Sequence, residues 1–102
     1  MLLEHYPVEQ FKTEIINILK RYINITEFKI FFFGSRVDGS GDECSDIDIG
    51  LEGREIIKQQ VLTRIRHDIE NIPVLYKIDI VDFNNVSEDF KKVALKKIEL
   101  IT

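Results

Sequence analysis

The spacing of apolar residues along the chain predicts three amphipathic helices. From Val8 to about Tyr22, apolar residues recur every three or four positions, and Pro7 lies just before the first of them. Helical spacing returns from Arg54 to about Glu70. Ser87 is a suitable N-cap for a last helix that continues to about Ile98. Each of these segments has one apolar face to bury against a neighbouring layer.

Three shorter segments have the pattern of strands. Phe28 to Phe33 is a continuous apolar run, which is typical of a strand covered on both faces. Asp46 to Leu51 alternates strictly between polar and apolar residues, and Val74 to Phe83 is rich in β-branched and aromatic residues. Between the first two strands, the polar segment from Gly34 to Ser45 contains three glycines and predicts a loop that opens with one short helical turn. The predicted order is αβ, loop, βαβα.

The composition predicts one compact domain that spans residues 1–102. The chain has 102 residues, of which 44% are hydrophobic and 31% are charged. A chain of this size buries roughly two thirds of its surface on folding, which is enough for one core but not for two lobes with a cleft between them. We therefore expect any second half of an active site to come from another molecule.

The charge and the single cysteine exclude several classes of function. With 14 basic and 18 acidic residues the net charge is -4, so we expect no direct nucleic-acid binding. We interpret Lys91, Lys92, Lys96 and Lys97 as a solvated helix face rather than a nucleic-acid patch. Cys44 is the only cysteine, which excludes an internal disulfide and fits a reducing compartment. No apolar run approaches the roughly 18 residues that a membrane span needs. The sequence thus predicts a cytoplasmic protein without membrane association.

Two carboxylates stand out in the second predicted strand. Asp46 and Asp48 are two positions apart, so a strand places both side chains on one face, where their charges repel. Aspartate is also depleted in strands, and this arrangement therefore calls for a cation between the two side chains. Mg²⁺ prefers one or two carboxylates together with phosphate oxygens and water. We interpret Asp46 and Asp48 as a platform for a metal ion.

The third predicted strand supplies a further acid. Asp79 lies between two isoleucines, as Asp48 does, so packing those isoleucines into one core turns both carboxylates toward the same face. Asp82 has the opposite parity and is expected to point inward or to lie in the loop at the strand end. We take Asp79 as the third metal ligand and as a possible base.

The glycine that ends the first strand marks a possible phosphate site. Gly34 and Ser35 follow a buried strand, where a backbone N–H group and a hydroxyl can meet a phosphate at the start of a turn. A P-loop is excluded because Ser40 stands where its lysine is required. An EF-hand is excluded because Glu43 stands where its turn glycine is required.

Together these residues form a recognisable signature. Gly34-Ser35, ten intervening residues, Asp46-Ile47-Asp48 and a later Asp79 resemble the motif of the polymerase β-like nucleotidyltransferase superfamily. The chain also resembles the smallest members of that superfamily, the minimal nucleotidyltransferase domains, in its length, in Arg36 after the Gly-Ser pair, and in Ser45 before the acids. A further likeness is the segment Ser87-Glu88-Asp89-Phe90 after the last strand.

The resemblance implies a fold and a set of roles. It implies an α+β nucleotidyltransferase fold, in which helices flank a mixed β-sheet with three main strands. It also implies Mg²⁺-dependent transfer of AMP from ATP in a two-metal site. The implied catalytic and metal-binding residues are Asp46, Asp48 and Asp79, and the implied nucleotide-binding residues are Gly34, Ser35 and Arg36.

The acceptor of the AMP group stays open among three alternatives. The resemblance implies a small all-helical HEPN ribonuclease toxin, which this chain would adenylylate on a tyrosine as the antitoxin of a type VII-like pair. A second reading is a catalytic subunit that modifies a small molecule held by a helical substrate-binding subunit. A third is a non-catalytic antitoxin that acts by occlusion. All three predict a hetero-oligomer.

Overall fold

The computed structural model describes residues 1, 3, 5–39, 41 and 45–102. Cys44 lies outside the described residues, as do Ser40 and Glu43 of the two excluded loop motifs. The helices are α1 (Val8–Leu19), α2 (Ser35–Asp38), α3 (Gln59–Glu70) and α4 (Glu88–Ala94). The strands are β1 (Lys29–Phe33), β2 (Ile47–Glu52), β3 (Ile78–Asp82) and β4 (Glu99–Leu100). Short 3₁₀ turns lie at Ile25–Glu27 and Phe83–Asn85.

The four strands form one mixed sheet in the order β3-β2-β1-β4. β1 runs antiparallel to both of its neighbours, whereas β2 and β3 are parallel. A parallel pair needs a crossover connection, and α3 provides it. The predicted α+β fold with a mixed sheet is confirmed, with one short strand more than expected.

The larger core lies on the sheet face that α1 and α3 cover. Alternate residues of β1 and β2 point toward this face, and the two helices contribute one apolar stripe each. Fully burying such a side chain contributes about 1.5–3 kcal/mol to folding. The fully buried residues of this core are Phe11, Ile15, Leu19, Ile30, Phe32, Ile47, Ile49, Leu51, Ile65 and Ile69.

A smaller aromatic core lies on the opposite face, beneath α4. Phe31, Phe33 and Phe83 are buried there, and the rings of Phe33 and Phe83 meet edge to face at 5.0 Å between centroids. Phe90 of α4 packs on both of those rings at 6.2 and 5.7 Å. The phenylalanines of β1 therefore fill both cores, as their continuous apolar run predicts.

Two predicted helices are shorter than expected because side chains and turns anchor their ends. α1 ends at Leu19, where the carbonyl of Leu19 accepts the N–H group of Tyr22 in a tightened last turn. α3 begins at Gln59 rather than Arg54, because the N–H group of Ile57 donates to the Asp82 carboxylate at 2.8 Å and keeps the preceding segment out of the helix.

The C-terminal segment also departs from the prediction. α4 ends at Ala94 rather than near Ile98, and the chain then forms β4, which pairs with β1. β4 has only two residues, too few to give a periodic signal in the sequence. β3 likewise begins at Ile78 rather than Val74. None of the helices described here is both long and apolar enough to cross a bilayer.

Candidate active site

The two parallel strands bring Asp48 and Asp79 together. Their register pairs Asp48 directly with Asp79, and side chains of directly paired residues in a parallel sheet project from the same face. The flanking residues Ile47 and Ile80 are buried on the other face. The parity argument made from these isoleucines is confirmed for Asp48 and Asp79.

Asp46 precedes β2 and completes an electrostatic cluster. Its side chain is exposed, and its charge acts on Asp48. Desolvation by burial, followed by the charges of Asp79 and Asp46, raises the pKa of Asp48 to about 6. Among the described residues, no three histidine, cysteine or acidic side chains converge closely enough to hold a metal ion as they stand. The three acids thus share an excess of negative charge without meeting at one point.

Gly34 forms a tight turn against these acids. Its φ of +81° lies in the left-handed region, which glycine adopts without a steric penalty. A methyl group at this position would overlap the Asp48 Oδ2 atom. The Gly34 carbonyl accepts the N–H groups of Val37 and Asp38, both at 3.0 Å, and so begins α2. Only glycine allows the backbone to approach the Asp48 carboxylate this closely.

Ser35 follows this turn, and Gly41 lies against it. The N–H group of Gly41 donates to the Ser35 carbonyl at 3.1 Å. A Cβ atom on Gly41 would lie 2.6 Å from the Ser35 Oγ atom and would also overlap the Ser45 Oγ atom. Two serine hydroxyls therefore border the same glycine near the acids. In the sequence, only the position of Ser45 directly before Asp46 indicates that this serine lies near the acids.

Arg36 is held by the protein in a way the sequence did not indicate. Its guanidinium lies over the Tyr76 ring, 4.2 Å from the centroid, and its Nε atom donates to the Ser45 carbonyl at 2.7 Å. These contacts join α2 to the residue before Asp46 and to the segment before β3. Arg36 thus supports the loop that carries the first acid, and a contact with nucleotide stays a prediction.

Asp82 is buried and lies apart from the acidic cluster. Only 5% of its surface is exposed, and its carboxylate accepts the N–H groups of Ile57 and Asn84 at 2.8 and 2.9 Å. The Asn84 side chain in turn bonds to the backbone of Gly53. The inward orientation is one of the two outcomes that its parity predicts, and its role is to fix the chain between β2 and α3.

The family of the chain follows from comparison with known proteins. The family model described as Polymerase beta, Nucleotidyltransferase matches residues 13–102. The chain belongs to this family. A probable protein adenylyltransferase, MntA, from Haemophilus influenzae is 25% identical over 87 residues, which cover 83% of this chain and 76% of the relative. The resemblance predicted from the Gly-Ser and Asp-Ile-Asp motifs is confirmed.

Solved structures share the same fold. A structure of a toxin–antitoxin with AMP-PNP superimposes with a TM-score of 0.71 at 20% identity, covering 89% of this chain and 72% of the other. A second structure holds a tri-AMPylated HEPN toxin from Shewanella oneidensis in complex with an MNT antitoxin. It superimposes with a TM-score of 0.69 at 19% identity and covers 92% and 71% of the two chains. At these identities the likeness establishes the nucleotidyltransferase fold.

Proposed function

We propose that this chain is a Mg²⁺-dependent protein adenylyltransferase that transfers AMP from ATP to a tyrosine of a HEPN ribonuclease toxin. It would thereby act as the antitoxin of the pair, in the cytoplasm. The observation that carries the proposal is the direct pairing of Asp48 with Asp79 beside the Gly34 turn. This arrangement combines a charge cluster that needs a cation with a backbone turn suited to phosphate.

The donor set fits magnesium. Asp46, Asp48 and Asp79 would hold the ion through carboxylate oxygens, the ligands that Mg²⁺ prefers, once their side chains turn toward one another. The raised pKa of Asp48 reports the like-charge repulsion and burial that a bound cation would offset. A bound metal ion would supply a lower pKa for the attacking hydroxyl and would neutralise charge on the leaving pyrophosphate.

The protein's own groups would position the two substrates. The N–H group and hydroxyl of Ser35 bind phosphate oxygens of ATP at the turn that Gly34 makes possible. The acceptor oxygen attacks the α-phosphorus and forms the new O–P bond. The bond from the α-phosphorus to its bridging oxygen breaks, and pyrophosphate leaves. Asp79 lies on the same face as Asp48 and accepts the proton of the acceptor hydroxyl.

The identity of the acceptor draws support from two relatives. The Haemophilus influenzae relative is described as a probable protein adenylyltransferase. The Shewanella oneidensis structure contains a HEPN toxin that carries AMP groups. We infer that this chain also assembles with an all-helical HEPN partner and modifies it.

Transfer of a label tests this function directly. The chain is incubated with Mg²⁺, the helical protein encoded beside it, and ATP labelled either at the α- or at the γ-phosphate. We expect label on the partner from α-labelled ATP only, and no label with Asp46→Asn. A tight complex without label, equally stable in Asp46→Asn, would instead support inhibition by occlusion. Label on an added aminoglycoside rather than on the protein would support a small-molecule acceptor.

A further inference from the structure

A cavity of about 460 Å³ adjoins the acids on the face of the sheet that carries α4. Its lining includes Phe33, Gly34, Asp38 and Asp48. It also includes residues of α4 and of the turn that follows α4. Its volume falls within the range of about 300–1,000 Å³ that is usual for small-molecule sites.

The short strand β4 brings two lysines to this cavity. β4 pairs Phe31 with Leu100 and Phe32 with Glu99, so the antiparallel register carries the preceding residues past the end of β1. Lys96 and Lys97 therefore lie at the same end of the sheet as Gly34, and both line the cavity. Had α4 continued to Ile98, as its sequence predicts, this register would not exist.

The charges of the two lysines complement a polyphosphate. Both side chains are exposed, and neither forms a salt bridge with any described residue. By contrast, Lys91 of α4 is paired with Glu52 at 2.9 Å. Ammonium groups across a cavity from a metal-binding carboxylate cluster can bind those phosphate oxygens that the metal does not reach.

The α4 residues that line the cavity are apolar. Val93 is 67% exposed and Phe90 is 42% exposed, although both are large apolar side chains. The Phe90 ring packs against Phe33 and Phe83 and also lines the cavity. An aromatic and aliphatic wall of this kind suits the flat, largely apolar surface of a nucleobase.

We propose that this cavity is the nucleotide site, in which Lys96 and Lys97 bind the triphosphate and Phe90 and Val93 receive the base. The inference rests on the proposed function and extends it to residues on the α4 side of the sheet. The triphosphate contacts charged residues and the base contacts apolar residues, so the two contacts can be tested separately.

The lysine contact is tested by binding with Mg²⁺ present, measured by isothermal titration calorimetry with ATP and with inorganic tripolyphosphate. The double variant Lys96→Gln/Lys97→Gln is expected to bind both ligands about tenfold more weakly, since two charge-assisted contacts are lost. The matched control is Lys92→Gln, an exposed lysine of α4 outside the cavity, which is expected to bind as the wild type does. Equal affinity in all three proteins would overturn the assignment of the lysines.

The apolar contact is tested by filling the cavity. Val93→Trp is expected to weaken the binding of ATP about tenfold and to leave the binding of tripolyphosphate unchanged, because only the base contacts this wall. The control is Leu75→Trp, at a site that is 88% exposed and outside the cavity. If Val93→Trp instead raises the KM for the partner protein and leaves ATP binding intact, the wall binds the acceptor and the assignment is wrong.

The same titrations separate this inference from the proposed function. A wild-type chain that transfers AMP while the cavity variants bind ATP normally would overturn the inference and retain the function. A wild-type chain that binds neither ATP nor tripolyphosphate with Mg²⁺ would overturn both.

Discussion

Gly34 and Asp48 approach each other so closely that each restricts the other. The left-handed backbone of Gly34 carries no side chain, and the space that a side chain would need is filled by the Asp48 carboxylate. The Gly-Ser and Asp-Ile-Asp motifs therefore meet through direct contact between Gly34 and Asp48. At the residue scale, the site depends on the close approach of the Gly34 backbone to the Asp48 carboxylate.

Gly34→Ala is expected to abolish AMP transfer. The new methyl group would displace the Asp48 carboxylate, and the positive φ would cost about 1–2 kcal/mol of stability. Gly39→Ala is the matched control, because Gly39 also has a positive φ of +85° but has nothing within 4 Å of a new Cβ atom. We expect Gly34→Ala to lose at least as much stability as Gly39→Ala in urea unfolding, and only Gly34→Ala to lose transfer. Loss of transfer in both variants would show that the backbone conformation at the two ends of α2, rather than the contact with Asp48, is essential.

Asp48 is expected to make the metal-free protein less stable as the pH rises. Its pKa of about 6 exceeds the ordinary value of 3.8, so between these pH values the folded state holds a proton that the unfolded state has released. Stability therefore falls from about pH 4 to pH 6, and Asp48→Asn avoids this loss.

Thermal unfolding at several pH values checks that expectation. At pH 7 without metal, Asp48→Asn is expected to be more stable than the wild type by about 1 kcal/mol, less than the full shift implies because the side chain is only partly buried. Excess Mg²⁺ is expected to stabilise the wild type more than the variant. A variant that is less stable than the wild type at pH 7 would indicate that Asp48 is needed for folding.

At the scale of secondary-structure elements, long-range contacts determine the helix and strand bounds that local sequence patterns do not predict. Alternation with isoleucine predicted that Asp48 and Asp79 share a face, because a strand's period is fixed by its backbone. The late start of α3 depends instead on a hydrogen bond from Ile57 to Asp82, 25 residues away. The strand β4 forms by pairing with β1, so no local sequence pattern predicts it.

The contact between Arg36 and Tyr76 is expected to hold α2 against the segment before β3. A double-mutant cycle with Arg36→Met and Tyr76→Leu is expected to give a coupling of roughly 0.5–1 kcal/mol in urea unfolding, as is usual for a cation over an aromatic ring. Transfer is expected to fall in both single variants, because Arg36 also bonds to the residue before Asp46. Additive effects would show that the two side chains act independently.

At the scale of the whole molecule, the strand order arranges charge along one end of the sheet. The net charge of -4 does not reveal this arrangement, in which Asp48 and Asp79 lie on β2 and β3 and two lysines lie just before β4. The Gly34 turn lies between these acids and the two lysines. Composition excluded a broad basic surface, but it could not reveal two lysines whose position depends on β4.

The central claim is that the cluster around Asp48 and Asp79 catalyses the transfer of AMP to a protein partner. The most direct test is the intact mass of the partner after incubation with ATP, Mg²⁺ and either the wild-type chain, Asp48→Asn or Asp79→Asn. Asp89→Asn serves as the control, because Asp89 is an exposed acid in the first turn of α4. We predict AMP adducts on a partner tyrosine with the wild type and Asp89→Asn, and none with the other two. Equal adducts with all four chains, or none with the wild type, would contradict the account.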